Sequence, residues 1–432
     1  MYNVGLILVI LFFMLLFLGI PISFTIAFSS FVIMLLMLPN PDFSMITAAQ
    51  VLATGINNSA LIAIPFFIFS GCIMNSSGLA LRLINFAKLF SFFFRGPLLF
   101  INIIANMLFG AISGSATAAA VAVGKIVFPL EQQENYDKSL SASVNILSCP
   151  TGLLIPPSNS LIVYALVSGG ASISALFWAG YLPGIIMGIS VMIVSGIFAS
   201  KYKYPRSKFP GFKIALKIIW QAIPILLLIF IIIGGITKGI FSPIEASGVA
   251  VFYSIILAII YKSLTLNGFL EIIKETIILS SIVLFLIACS SLMSWALAYS
   301  NLPKTVASSI LALSHSKVII LILINIMLLI IGCFMDMTPA ILIFTPIFLP
   351  IIKELGIHPV HFGIIMVYNL CIGLMTPPVG TALFVGCSVS NASIESVSKR
   401  MIPFFIVLFI SLMLVTFIPS ISLFLPKILK LI

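Results

Sequence analysis

The feature that most constrains this chain is the length of its apolar runs. Stretches of about 20 mostly apolar residues, the length that an α-helix needs to cross a bilayer, recur from residue 4 to the C-terminus with only short polar breaks. Runs such as Ile218–Ile236 and Val318–Ile331 are continuous and lack the alternation of a barrel strand. Because backbone polar groups in lipid must be satisfied internally, we expect an all-α polytopic membrane protein.

Composition and charge agree with a membrane location. Hydrophobic residues make up 62% of the 432 positions and charged residues only 7%, so polar side chains could not cover the apolar surface of a soluble fold. The net charge of +11 could suggest nucleic-acid binding, but the basic residues flank the apolar runs, as the positive-inside rule predicts. The densest basic stretch, 201–217, is therefore predicted to be a cytoplasmic linker.

An internal repeat divides the chain into two halves. Pro156-Pro157 in the first half matches Pro377-Pro378 in the second, 221 positions later. Transporters are commonly built from paired repeats, and the binding site lies where the repeats meet. We therefore predict an N-terminal half at 1–200 and a C-terminal half at 218–432 on either side of the linker.

Four interruptions of the apolar runs are candidate binding sites, two in each half. Unwound backbone in a membrane helix offers carbonyl groups to a cation, and the N-terminus of a half-helix offers a positive dipole to an anion. Two of the interruptions carry consecutive prolines, whereas a simple kink needs only one. In the first interruption Gly110 and Gly114 form a GxxxG pattern, so plain helix packing is an alternative there. The four segments are 110–117, 152–160, 332–339 and 373–381.

Two acidic residues in apolar surroundings receive different interpretations. Asp336 is a lone carboxylate within an interruption, and intramembrane ionisable residues are functional by default, although a helix-capping role ahead of Pro339 is the alternative. Glu245 is expected to be structural, because Ser242, Pro243 and Glu245 have the spacing of a capping box.

The sequence contains no recognisable catalytic motif. The six cysteines lack CxxC spacing or histidine partners, which argues against a transition-metal site, and neither a phosphate-binding loop nor a Ser-His-Asp arrangement is found. His315, His358 and His361 are expected in loops, without chemistry. We therefore expect a transporter rather than an enzyme, driven by an ion gradient. A channel or structural membrane protein would not need paired unwinding in both halves.

The chain resembles the large membrane subunit, DctM or SiaM, of tripartite ATP-independent periplasmic (TRAP) transporters. The resemblance runs nearly end to end and rests on FGAISGSATAAAVAVG at 109–124, IPPSNS at 155–160, FSPIEASGVAV at 241–251 and GLMTPPVGTALFVG at 373–386. It implies two inverted-topology repeats, each with scaffold helices, a helical hairpin and a broken helix, and an elevator-type mechanism. The alternative is a stand-alone ion-coupled dicarboxylate or anion transporter of the same superfamily.

The resemblance also implies Na⁺ coupling at two symmetric sites, formed mostly by backbone carbonyls. The first would use Gly110, Ser113, Gly152, Ile155 and Ser158, and the second would use Gly332, Gly373, Thr376 and Val379. Substrate would bind between the hairpin tips and contact Ser115, Ser160 and Asp336. The helix breaks themselves would be made by Pro156, Pro157, Pro377 and Pro378.

Two partners follow from the resemblance: a small membrane subunit of the DctQ type and a soluble periplasmic substrate-binding protein of the DctP type. The expected function is Na⁺-driven uptake of a small organic acid across the bacterial inner membrane. Sialic acid, C4-dicarboxylates and other sugar or keto acids all suit such a site. No arginine lies in any of the four interruptions, so the sequence does not select among these acids.

Overall fold

The computed structural model describes residues 2–432 except 39, 208–210, 301–315 and 378–379. The described chain is helical apart from turns, coil and one isolated bridge between Arg95 and Arg206. Within it, eight helices are long and apolar enough to cross a membrane, or nine if the bent pair Lys138–Leu154 and Asn159–Ser168 forms one span. The predicted all-α polytopic fold is confirmed.

Eleven α-helices precede the linker in the described chain, together with a short 3₁₀ helix at Ser59–Ile62. They are α1 (Tyr2–Phe17), α2 (Ile22–Met37), α3 (Pro41–Ile56), α4 (Ala63–Ser76), α5 (Leu79–Ser91), α6 (Pro97–Ser113), α7 (Ala116–Gln133), α8 (Lys138–Ser148), α9 (Thr151–Leu154), α10 (Asn159–Ser168) and α11 (Ile173–Lys201).

After the linker, the described chain again forms long helices, then two helices that make a hairpin, and then a broken helix. They are α12 (Phe212–Thr237), α13 (Pro243–Ile260), α14 (Leu266–Tyr299), α15 (Lys317–Phe334), α16 (Met337–Glu354), α17 (Pro359–Gly373), α18 (Thr381–Ser390), α19 (Ile394–Phe417) and α20 (Pro419–Ile428).

Each half contains a helical hairpin followed by a broken helix. The hairpins are α6–α7 and α15–α16, and the broken helices are α8–α9–α10 and α17–α18. The first hairpin turns at Gly114, which has a left-handed φ of 63° and donates its N–H to the Gly110 carbonyl at 2.9 Å. The second turns through Met335 and Asp336, both in extended conformation. All four predicted interruptions are therefore breaks between helices.

The broken helix of each half packs against the hairpin of the other half. The second segment of the first broken helix, α10, packs against α16 of the second hairpin, while α18 of the second broken helix packs against α7 of the first hairpin. This reciprocal packing is what a pseudo-two-fold arrangement of two repeats produces. The hairpin tips consequently lie near each other in the interior, although they are more than 200 residues apart in the sequence.

A second group of helices packs around the hairpins and broken helices. The long helix α14 packs against α2, α3 and α4, while α13 packs against α4 and α12. Large apolar side chains on these helices point outward, including Trp220 and Phe230, which are 76% and 75% exposed. Such a surface suits a lipid environment. Because α14 also packs against α16, it joins this outer group to the second hairpin.

The start of the predicted linker at 201–217 is docked onto both halves, and its C-terminal part is the beginning of α12. The Tyr204 ring stacks on Tyr136 at 4.1 Å, and the Tyr204 hydroxyl accepts the Asp137 N–H at 2.9 Å. Arg400, from the second half, donates to the Tyr202 hydroxyl of the linker at 2.7 Å and lies 3.5 Å from the Asp137 carboxylate. The linker therefore begins as a fixed contact between the halves.

The expectation that the histidines lie in loops is wrong for His361, which is in α17 and only 2% exposed. Its Nδ1 lies 2.6 Å from the Ser422 hydroxyl, and its Nε2 lies 3.2 Å from the Thr416 carbonyl. The apolar residues around it in sequence gave no sign of these partners, which come from α19 and α20. His358 precedes the same helix and accepts the Val360 N–H, while His315 lies outside the described residues.

The capping box predicted for Glu245 is confirmed, and it gives the first test. The Ser242 hydroxyl accepts the Glu245 N–H at 3.3 Å, and the Glu245 carboxylate accepts the Ser242 N–H at 2.7 Å. We expect Ser242→Ala to lower the free energy of unfolding by about 1 kcal/mol, because α13 loses its cap. Ser242→Asp keeps a capping oxygen and should stay within a few tenths of the wild type. Denaturation of the purified protein in detergent measures both variants, and equal losses would contradict the capping role.

Candidate functional site

At the first helix break, the hairpin and the broken helix cross through two glycines. A Cβ atom built on Gly152 would lie 2.4 Å from the Cα atom of Gly110. One built on Gly110 would lie 3.0 Å from the Cα atom of Gly152 and 3.2 Å from the Cys149 carbonyl oxygen. No side chain fits at Gly152 at this separation, so the crossing depends on glycine for close backbone approach.

The second half repeats this crossing with Gly332 and Gly373. A Cβ atom built on Gly373 would lie 2.5 Å from the Cα atom of Gly332, and the reverse distance is 3.0 Å. The structure therefore brings together both glycine pairs that were assigned to ion sites from the sequence. Their occupation by ions stays a prediction.

The other predicted ligands of the first ion site lie in the two turns that border the crossing. Helix α9 ends at Leu154 and α10 begins at Asn159, which leaves 155–158, including Ile155, Pro156 and Pro157, unwound. The Ser158 hydroxyl accepts the Leu161 N–H at 3.4 Å and donates to the Leu153 carbonyl. The Ser113 hydroxyl donates to the Ser115 carbonyl at 3.3 Å. These hydroxyl groups hold the turns, and each oxygen retains acceptor capacity.

The second break has a similar local order. The Thr376 hydroxyl donates to the Ile372 carbonyl at 2.7 Å, and Pro377 lies in the non-helical stretch that follows α17. A Cβ atom built on Gly380 would lie 2.8 Å from the Thr376 carbonyl oxygen and 2.9 Å from that of Leu374, so two carbonyl groups converge there. The predicted positions Pro378 and Val379 lie outside the described residues.

A cavity of about 290 Å³ lies beside the hairpin tips. Ser115, Ser160 and Asp336, the three residues predicted to contact substrate, all line it. Ser115 caps α7 by accepting the Ala118 N–H at 3.3 Å, and Ser160 lies in the first turn of α10. The N-termini of α7, α10 and α16 therefore border one space.

Sequence reasoning missed several polar residues of the cavity. Asn159 comes from α10, Asn75 from α4 and Glu275 from α14. Asn159 could have been found, because it stands between two assigned serines in the motif IPPSNS. Asn75 and Glu275 are far from every helix break in the sequence, so only the packing of α4 and α14 against the hairpins reveals them.

The charge of the cavity comes from two carboxylates. Glu275 and Asp336 face it, and its described lining residues include no lysine or arginine. Asp336 stands at the N-cap position of α16, but its side chain makes no capping hydrogen bond, which removes the main support for the capping alternative. The Met337 N–H and the Thr381 hydroxyl lie near the carboxylate. It is thus a cavity residue on the tip of the second hairpin.

The repeat distributes polar side chains unequally between the halves. A Cβ atom built on Gly114 would lie 2.8 Å from Asn159 Nδ2, so in the first half the tip is glycine and the broken helix carries the amide. The equivalent positions in the second half are Asp336, 222 residues after Gly114, and Gly380, 221 residues after Asn159. The first half therefore contributes an amide to the cavity and the second contributes a carboxylate.

Comparison with known proteins identifies the family. The family model described as the DctM component of the tripartite ATP-independent periplasmic transporters matches residues 9–421. The chain belongs to this family. It is therefore a large TRAP permease, a transporter component rather than an enzyme, and a multi-pass protein of the bacterial inner membrane.

Curated relatives match the permease over nearly its full length. It is 49% identical to the uncharacterized protein YgiK of Salmonella typhimurium, over 94% of each chain. It is 36% identical to the sialic acid TRAP transporter large permease protein SiaM of Vibrio cholerae, over 96% of each chain. It is 38% identical to the C4-dicarboxylate TRAP transporter large permease protein DctM of Pseudomonas aeruginosa, over 91% of this chain and 92% of that one. The family thus includes permeases for different organic acids.

A solved structure shares the architecture. The YdaH transporter of Alcanivorax borkumensis aligns with a TM-score of 0.62 and 12% identity, over 88% of the permease and 89% of that chain. Because the identity is low, the likeness shows a common fold and nothing about substrate.

The glycine crossing gives a direct test. We expect Gly152→Ala to lower the free energy of unfolding of the permease by about 2 kcal/mol or more, because the added methyl group overlaps the backbone at Gly110. Gly170→Ala is the matched control, since a Cβ atom there meets nothing within 4 Å. Thermal unfolding in detergent measures both variants. A wild-type melting temperature for Gly152→Ala would show that the crossing does not need glycine.

Proposed function

We propose that this permease imports a small organic acid together with Na⁺, after a periplasmic binding protein delivers the acid and with a small membrane subunit as partner. The observation that carries the proposal is the pair of glycine crossings, one in each half, beside a cavity lined by Ser115, Ser160 and Asp336. Paired helix breaks at the interface of two repeats are the usual setting of substrate and ion sites in secondary transporters.

Helix dipoles support the assignment of the ion sites. At the first crossing the C-termini of α6 and α9 meet, and at the second the C-termini of α15 and α17 meet. Helix C-termini carry partial negative charge and unpaired carbonyl groups, which favour a cation. One Na⁺ would bind at Gly110, Ser113, Gly152, Ile155 and Ser158, and another at Gly332, Gly373 and Thr376, with Val379 as a further expected ligand outside the described residues.

The opposite ends of the helices support binding of an acid. The N-termini of α7, α10 and α16 border the cavity and provide partial positive charge and free N–H groups for a carboxylate. This arrangement offers an anion site without arginine. Ser115 and Ser160 add hydroxyl donors at two of these N-termini.

The two cavity carboxylates make cation coupling physically reasonable. An acid anion that enters beside Glu275 and Asp336 adds a further negative charge. Two like charges 6 Å apart repel each other by about 3 kcal/mol at an effective dielectric constant of 20. Two bound Na⁺ ions would offset this repulsion, so binding of the acid would require the ions.

The cavity wall also supports an elevator motion. Asn75 and Glu275 come from the outer helices α4 and α14, whereas Ser115, Asn159 and Asp336 come from the hairpins and a broken helix. The cargo would therefore lie at the boundary between two bodies. In the proposed cycle the hairpins and broken helices carry it across the membrane while the outer helices remain in place.

The central test is uptake by proteoliposomes that contain the permease, its small subunit and its binding protein. The cargo is first chosen by screening the binding protein against sialic acid, C4-dicarboxylates and sugar acids. We expect uptake of the retained acid to require an inward Na⁺ gradient and the binding protein. Equal uptake with K⁺ in place of Na⁺ would exclude the ion assignment, and equal uptake without the binding protein would exclude the tripartite route.

The cavity carboxylate on the hairpin gives a residue-level test. We expect Asp336→Asn to weaken the apparent affinity of uptake for Na⁺ or for the acid by about 10-fold to 100-fold, as loss of a charged hydrogen-bonding partner implies. Asp42→Asn changes an exposed carboxylate in the first turn of α3 and serves as the control. Wild-type affinities for both ligands in Asp336→Asn would remove this residue from the site.

A further inference from the structure

A buried carboxylate that the proposed transport sites do not use lies in the last turn of α7. Glu131 is 1% exposed, and neither of its carboxylate oxygens has a hydrogen-bond partner in the described structure. The ion pairs found among the described residues are Lys399 with Glu395 and Arg400 with Asp137, so no described cation is paired with Glu131. An ionised carboxylate in such a place is strongly unfavourable.

Three further polar groups without partners lie around Glu131. They are the Asn102 side-chain Nδ2, the Ser141 hydroxyl and the Tyr136 hydroxyl, each on a buried residue. Asn102 and Ser141 face the carboxylate from α6 and α8, and Tyr136 approaches it from the turn after α7. All three groups can donate to a carboxyl oxygen, so they hold the side chain in place, but none of them carries the positive charge that an ionised carboxylate needs in such a place.

The cluster is continuous with the first helix break. Asn106 Nδ2 donates to Asn102 Oδ1 at 2.8 Å and to the Ser148 hydroxyl at 2.9 Å. The Thr151 hydroxyl donates to the Ser148 carbonyl at 2.5 Å, and Gly152 is the next residue. A chain of buried hydrogen bonds therefore leads from the surroundings of Glu131 to the glycine crossing.

We propose that Glu131 is a proton-binding site of the folded permease. The carboxylate takes one proton from water and becomes a neutral acid, and no other bond changes. The new O–H donates to the hydroxyl oxygen of Ser141 or Tyr136, while the remaining carboxyl oxygen accepts from Asn102 Nδ2. A proton thus removes the buried charge, and the neutral carboxyl group still has one donor and one acceptor for its neighbours. The site does not depend on the proposed Na⁺ coupling.

The other ionisable groups around Glu131 do not supply a competing charge. The hydroxyls of Tyr136 and of Tyr204 in the docked linker face it. Of the helices packed against α7, α6 and α9 carry no ionisable side chain and α18 carries only Cys387. The other ionisable residues on α7 and the helices packed against it are Arg82, Lys88, Lys125 and Lys138. None of them forms an ion pair with Glu131 in the described structure.

The test compares the pH dependence of stability in the complete permease and its Glu131→Gln variant. A group that binds a proton more tightly when folded stabilises the fold at low pH, and this contribution is lost as pH rises through its titration. We expect the melting temperature of the wild type to fall relative to Glu131→Gln by at least about 2 °C between about pH 5 and pH 9, at constant Na⁺ concentration. Glu134→Gln, an exposed change three residues away, should keep the wild-type profile.

A direct measurement covers the possibility that one variant folds poorly. Infrared difference spectra of the wild type against Glu131→Gln, and against the apolar variant Glu131→Met, should show the carbonyl stretch of a protonated carboxylic acid at neutral pH in the wild type only. Parallel stability profiles without this band would overturn the proposal. Stabilisation by added Na⁺ at fixed pH that Glu131→Gln abolishes would also overturn it, because the site would then hold a metal ion.

Discussion

Close backbone contact between a hairpin and a broken helix determines the geometry of the permease interior. Two helices reach this separation only where side chains are absent, and here Gly110 meets Gly152 and Gly332 meets Gly373. Each crossing joins the C-terminus of a hairpin arm to the C-terminus of a half-helix, so it fixes the positions of these two helices relative to each other. The unwound segments that follow then direct the next helices, α7, α10, α16 and α18, from a common region.

This geometry separates positive and negative helix ends in space. The C-termini meet at the crossings, while N-termini border the cavity that Ser115, Ser160 and Asp336 line. In the proposed transport sites, backbone dipoles distinguish the cation sites from the anion site without any arginine or lysine in the described lining. Glu275, on the outer helix α14, adds a carboxylate from outside the hairpins and broken helices.

Both halves also contain a buried polar network beside the crossing, and each reaches an ionisable side chain. In the first half, Asn102 and Asn106 lead to Glu131. In the second half, Asn369 donates to Asn325 at 2.5 Å, Asn325 donates to Thr416 at 3.2 Å, and the Thr416 carbonyl contacts His361. Unpaired polar groups are unfavourable in a low-dielectric interior, so such networks fix the relative positions of their helices when they are complete. In the network that ends at Glu131, the proposed proton removes the buried charge.

The sequence by itself determined the elements that depend on local chemistry. Apolar run length predicted the spanning helices, the Gly and Pro-Pro segments predicted all four breaks, and the Ser242 and Glu245 spacing predicted a capping box. The constant offset related the breaks of one half to those of the other, and the family resemblance implied the pairing of glycines between hairpin and broken helix. Only the tertiary structure brought Asn75 and Glu275 to the cavity, placed His361 among buried partners and left Glu131 unpaired with any cation of the described residues. The physical reason is that capping and helix breaking act between neighbours along the chain, whereas burial and charge compensation depend on residues that become neighbours only after the helices pack.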